Sequence, residues 1–200
     1  MNTFLLRARP EGKDMLKAFR ENGYVAIGWG KTGDLSDEEY EGIKTALAAK
    51  YAYEGRSLGN NSAMVNLFVN GMQSGDLLVV PDGDDIYLAR VTASYCYDAQ
   101  AEFPHQHSVE WLQQVQRGQL SPGLRGSLQV PRTVVSLDMY GKEIEGLANL
   151  PSQAIGKAMM PIIVEYPLRP DFKIRFSLPA DITKEEASRL ATYFSTLYFA

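Results

Sequence analysis

The apolar positions of this chain fall into short runs divided by turn residues, and the spacing within each run predicts an element. Thr3 to Arg9 (TFLLRAR) is an apolar run stopped by Pro10 and reads as a strand. Glu11 to Asn22 sets Met15, Leu16 and Phe19 on one helical face and stops at Gly23, a glycine C-cap. Tyr24 to Trp29 reads as a second strand, so a βαβ-like opening is expected. A helix is predicted from Ser36 as N-cap, with Glu39 closing a capping box, to about Tyr51, and Tyr40, Ile43 and Leu47 share its face. Asn61 to Met72 predicts another, striped by Met64, Leu67, Phe68 and Met72, and that stripe reads as core.

The richest stretch runs from Gly75 to Leu112. Val79-Val80 closes one apolar run and Tyr87, Leu88 and Val91 belong to the next, with Pro81-Asp82-Gly83-Asp84-Asp85 as the turn between them. The second strand is expected to carry Tyr95 and Tyr97 on one side and to lead through Phe103, His105 and His107 to Trp111. Val109 to Gln116 fits strand or short helix, Leu120 to Leu128 a helical turn, and Thr133 to Asp138 a strand. A boundary is expected between Ala148 and Met160, dividing a domain 1–148 from a ββα extension 149–200 packed on it or on a partner. In that extension Asp181 or Thr183 is the expected helix N-cap.

Composition narrows the classes. With 45% apolar residues and no run near the ~18 needed to span a bilayer, the chain reads as a cytoplasmic protein. Its start lacks the features of a secretory signal. Cys96 is the only cysteine, which excludes an internal disulfide and a Cys-based zinc cluster. A net charge of −4 argues against unselective coating of nucleic acid. The span RGQLSPGLRGSLQVPR, with Arg117, Arg125 and Arg132, holds no acidic residue and is either a solvated loop or a local basic face.

Familiar motifs fail on inspection. Gly28-Trp29-Gly30-Lys31-Thr32-Gly33 spells GxGxxG, but no helix opens on those glycines and Trp29 crowds the backbone where phosphate must approach. A P-loop needs glycine where Val25 stands. No GxSxG elbow occurs, and no Asp with a following Glu-x-Lys is present to hold magnesium. His105 and His107 form a His-x-His pair with no Cys or third His to complete a zinc site. No cofactor or metal is expected. Trp29, at a strand end between two glycines, is either a core residue or a stacking plate for a planar ligand.

The series YVAIGW (24–29), MVNLF (64–68), GDLLVVP (75–81), Tyr95-x-Tyr97-Asp98 and His105-x-x-x-Val109-x-Trp111 resembles the EVE-like domains of the PUA superfamily, found in Mrr-type and related restriction proteins. The similarity covers roughly residues 3 to 140. It implies an α+β fold, a curved mixed β-barrel with flanking helices, whose pocket receives a base turned out of a duplex. By position, Trp29 and Tyr97 would be its walls, His105 would line its mouth, and Tyr95, Asp98 and His107 would complete it. Trp111 would brace the barrel, and His107 stands where the family commonly has arginine. Lys31, Arg117, Arg125 and Arg132 would meet the nucleic-acid backbone.

The function expected is a non-catalytic reader of a modified base in duplex DNA, in a restriction or phage-defence setting, with a nuclease or NTPase partner doing the cutting. Two alternatives stand beside it. One is an assembly module, including a homodimer, acting through the C-terminal aromatics Tyr193, Phe194, Tyr198 and Phe199. The other is an enzyme acting on a small nucleotide.

Overall fold

Strands that are apolar at every position need cover on both faces, and that requirement organises this molecule. The computed structural model describes residues 1–149, 162–169, 172–178 and 182–196. It divides into two compact units, Met1–Ser152 and Gln153–Ala200. In chain order the first unit contains β1 (Thr3–Leu6), α1 (Leu16–Asn22), β2 (Tyr24–Ile27), α2 (Tyr40–Tyr51), α3 (Gly55–Asn66), β3 (Leu77–Asp82), β4 (Asp85–Val91), β5 (Cys96–Tyr97), β6 (His105–Gln116), α4 (Pro122–Ser127), β7 (Val134–Ser136) and α5 (Gly141–Ala148). The fold is α+β, with a curled half-barrel sheet and flanking helices.

The sheet follows the path β2-β6-β4-β3-β1-β7, and β5 pairs with β6 beside it. Alternation sends Phe4, Leu6, Leu78 and Val80 to one face, where they meet Phe19, Ile43, Leu47 and Phe68. Leu5, Leu77 and Val79 point to the other face, onto Leu120, Leu124, Leu137 and Ile144. The runs FLL and LLVV are therefore continuous because both of their sides are covered. The β3–β4 hairpin turns at Gly83, whose φ of 59° is the left-handed value the turn needs. Across β4 and β6 the register shifts between Leu88 and Ala89, a bulge that bends the sheet.

Several expectations are corrected. β1 and β2 do not form a βαβ pair: β1 runs parallel to β3, whereas β2 pairs antiparallel with β6. The first helix starts at Leu16, not Glu11, because Glu11 and Gly12 both take positive φ and close a separate turn. Ser36 caps no helix. Its N–H and hydroxyl donate to Asp34 Oδ1, and α2 begins at Tyr40 after Glu39. The third helix already begins at Gly55 and ends in a wide turn, Leu67–Gly71. The ambiguous 109–116 segment is strand, part of the long β6. β4 ends at Val91, so Tyr95 and Tyr97 are not on it.

The second unit contains β8 (Ile162–Arg169), its antiparallel partner β9 (Phe172–Leu178), and α6 (Lys184–Thr196). Thr183 caps α6 reciprocally: its hydroxyl accepts from the Glu186 N–H, and the Glu186 carboxylate accepts from the Thr183 N–H. Asp181, Tyr198 and Phe199 lie outside the described residues.

Candidate functional site

Three chain reversals in the first unit carry backbone that ordinary residues avoid. Among the described residues the non-glycine positive φ values are at Glu11 (50°), Trp29 (67°) and Ala52 (52°). Each costs on the order of 1–2 kcal/mol, and such strain gathers where function demands a particular placement. The three follow β1, β2 and α2, and all meet at one depression. Glu11 and Trp29 line it, and Ala52 sits between Tyr51 and Tyr53, which line it too.

The depression encloses about 430 Å³, and Arg9, Lys31 and Thr133 complete its main lining. Trp29 is half-buried, packed against the core on one side and open to this void on the other. Tyr51 and Tyr53 stack with ring centroids 5.5 Å apart and planes 14° from parallel. The Lys31 N–H donates to the Tyr51 hydroxyl at 3.1 Å, and the Lys31 ammonium lies 5.7 Å from that ring's centroid. Burial raises the Tyr51 hydroxyl pKa, the Lys31 N–H opposes this, and the nearby Glu11 charge adds to the rise. Tyr51 therefore stays a neutral donor.

Glu11 reaches the wall because Gly28 has no side chain. A Cβ there would stand 2.8 Å from Glu11 Cγ. The Glu11 carboxylate makes no hydrogen bond or ion pair among the described residues. Three π faces, a free carboxylate acceptor and two cations can grip a flat heterocycle by stacking and by its polar edge. Among the described residues no His, Cys or Ser lines the depression.

His105 and His107 do not line a pocket mouth. Both are fully buried, pointing inward from alternate positions of β6. The Tyr95 hydroxyl donates to His105 Nδ1 at 2.7 Å. His105 Nε2–H donates to the Trp29 carbonyl at 3.2 Å and lies 3.1 Å from Thr32 Oγ1. Thr32 Oγ1–H also donates to the Trp29 carbonyl, at 2.9 Å. This network fixes the left-handed turn that presents the Trp29 ring. Burial pushes the His105 pKa down, against the Trp29 hydrogen bond and the Asp34 charge. Burial also lifts the Tyr95 hydroxyl well above the usual phenol range.

His107 braces a different junction. Its ring nitrogens lie 2.8 Å from the Phe68 carbonyl and 3.1 Å from that of Ala93. Tyr97 tilts over His105 at 5.4 Å and is not among the residues facing Trp29 across the void. Asp98 is exposed and accepts from the Gln100 N–H. The rings that share the depression with Trp29 are those of Tyr51 and Tyr53, which the sequence did not single out. Of the expected backbone cations, Lys31 lines this depression, whereas Arg117, Arg125 and Arg132 do not. Trp111 is a brace: its Nε1–H donates to the Phe19 carbonyl at 3.1 Å. Among the described residues no group of three or more His, Cys, Asp or Glu is placed to hold a metal ion. No helix of the described residues is long and apolar enough to cross a membrane.

The family model described as a domain of unknown function, DUF8426, matches residues 5–138 of the 200. The chain belongs to that family. No curated protein matches the chain. All residues lining the depression, from Arg9 to Thr133, fall within the DUF8426 span, and the second unit lies beyond it. In this chain the aromatic depression thus lies within the DUF8426 domain.

Proposed function

We propose that this DUF8426 protein is a non-catalytic reader of modified nucleic acid, receiving one extruded base in the slot between Trp29 and the Tyr51–Tyr53 pair. The single observation that carries the reading is the convergence of three strained reversals on one ring-lined void. We further infer that its curled sheet is of the EVE-like, PUA-superfamily kind, and that an effector protein acts on what it reads.

Magnitudes favour a modified or mispaired base. Extrusion costs a few kcal/mol, and stacking on aromatic rings returns about 1–3 kcal/mol per base. A methyl group filling an apolar corner adds about 0.8 kcal/mol. A modification therefore shifts a near balance instead of creating affinity alone. Glu11 adds selectivity, because a carboxylate accepts from the exocyclic amine of cytosine or adenine and repels a carbonyl edge.

The test is equilibrium binding of duplexes carrying single modified cytosines or adenines against the same plain duplex. The expected result is tighter binding of at least one modified duplex, by about fourfold for a single buried methyl group. Equal affinity across the whole panel contradicts the reading.

A further inference from the structure

Beside the aromatic slot lies a smaller depression, of about 130 Å³, lined by Arg7, Arg9 and Arg117 together with Asp14, Asp82 and Gly83. Arg9 lines both depressions, so the two adjoin at that residue. Arg9 is exposed, whereas Arg7 and Arg117 are partly buried and held by backbone carbonyls. Arg7 Nη2 donates to the carbonyls of Leu128 at 2.9 Å and Val130 at 2.7 Å. Arg117 donates from Nε and Nη2 to the Gly83 carbonyl, at 3.0 and 2.7 Å. Arg117 is pinned along its Nε–Nη2 edge and Arg7 through Nη2, and among the described residues neither Nη1 makes a hydrogen bond, nor does the buried Arg7 Nε. A pinned, planar donor is what oxyanion recognition needs, because little side-chain freedom is lost on binding.

The charges at this place are not internally settled. Burial, then the neighbouring Arg117 and Arg9 charges, disfavours the protonated form of Arg7. Asp14 and Asp82 lie 3.3 and 3.5 Å from Arg9, while Arg7 and Arg117 have no carboxylate partner among the described residues. Three guanidiniums and two carboxylates leave one positive charge, the amount a single phosphodiester neutralises. The chain as a whole carries a net charge of −4, so this local excess runs against the general field.

We propose that Arg7, Arg9 and Arg117 form the seat for one phosphodiester of the nucleic-acid backbone, next to the nucleotide whose base enters the aromatic slot. The seat rests on the base-reader reading for the identity of its occupant; its cations and geometry stand without it. It supplies register and affinity, while the slot supplies discrimination.

The experiment measures duplex binding by the full chain across a salt series for the wild type, Arg117→Gln and Arg9→Gln. Arg9 is the structurally cheap second variant, since its side-chain bonds are two exposed ion pairs. Arg117→Gln is expected to weaken modified and plain duplexes by the same factor, whereas Arg9→Gln, whose side chain also lines the aromatic slot, weakens both and narrows the difference between them. Each also reduces the slope of log K against log salt by about 1, with melting temperature preserved. Unchanged slopes and affinities in both folded variants overturn the seat, even if the modified duplex is still preferred. A reduced slope without any modified-base preference in the wild type keeps the seat and removes the reader. No binding of any duplex overturns both. Inorganic phosphate is titrated against the wild type in parallel: it is expected to displace duplex better than sodium chloride of equal ionic strength, and if it does no better the seat fails.

Discussion

His105→Ala is expected to cost about 3–5 kcal/mol, most of the stability margin of an ordinary domain. The ring is fully buried and both of its nitrogens are engaged. Removing it leaves a cavity and deprives the Tyr95 hydroxyl and the Trp29 carbonyl of a partner. A drop of about 10 °C in melting temperature follows for a unit of this size. Tyr95→Phe removes only the hydroxyl bonded to His105 Nδ1 and should cost less, about 1–3 kcal/mol.

The same histidine gives a pH dependence with a definite sign. Burial depresses its folded pKa below the unfolded value of about 6.5. Below pH ~6.5 the unfolded chain therefore takes up a proton that the folded chain resists. The contribution of His105 is complete above about pH 6.5 and is lost as pH falls through the folded value, at up to about 1.4 kcal/mol per unit. Denaturant titrations at several pH values check this. The acid loss should be smaller in His105→Gln, and equal slopes in the two proteins would contradict the assignment.

Trp29→Ala is expected to weaken binding of the preferred modified duplex by about 5- to 150-fold, the loss of 1–3 kcal/mol of stacking. Alanine keeps a side chain in the left-handed turn, so the backbone strain at this position is not relieved. Trp29→Phe should restore most of the affinity, since a ring still faces Tyr51 and Tyr53. Binding by anisotropy, with circular dichroism to confirm folding, separates this from collapse of the site. Loss in both variants alike would mean that Trp29 acts through packing and not through its π face.

Much of the sheet was legible because burial on both faces writes itself as unbroken apolar runs, as in Leu77 to Val80. The path of the sheet was not. Nothing local says that β1 pairs with β3 across more than seventy residues and not with β2. Capping chemistry misled at Ser36, where Asp34 competes for the same N–H and hydroxyl. Trp29 was readable as an exception because two glycines flank it at a strand end. Tyr51 and Tyr53 were not, since aromatics at a helix end read as core until Ala52 turns left-handed and folds one onto the other. For the histidines the signal was present. His105, His107 and Val109 alternate with Gln106 and Ser108 along β6, and that period of two places both rings on the inward face.

The central claim is that a base leaves its stack and enters the Trp29 slot, and a crystal structure of the protein with its preferred modified duplex tests it most directly. The modified base is expected turned out of the helix, its ring between Trp29 and the Tyr51–Tyr53 pair and its amine edge on Glu11. A duplex bound with every base still stacked, or a base held elsewhere with this slot empty, contradicts it.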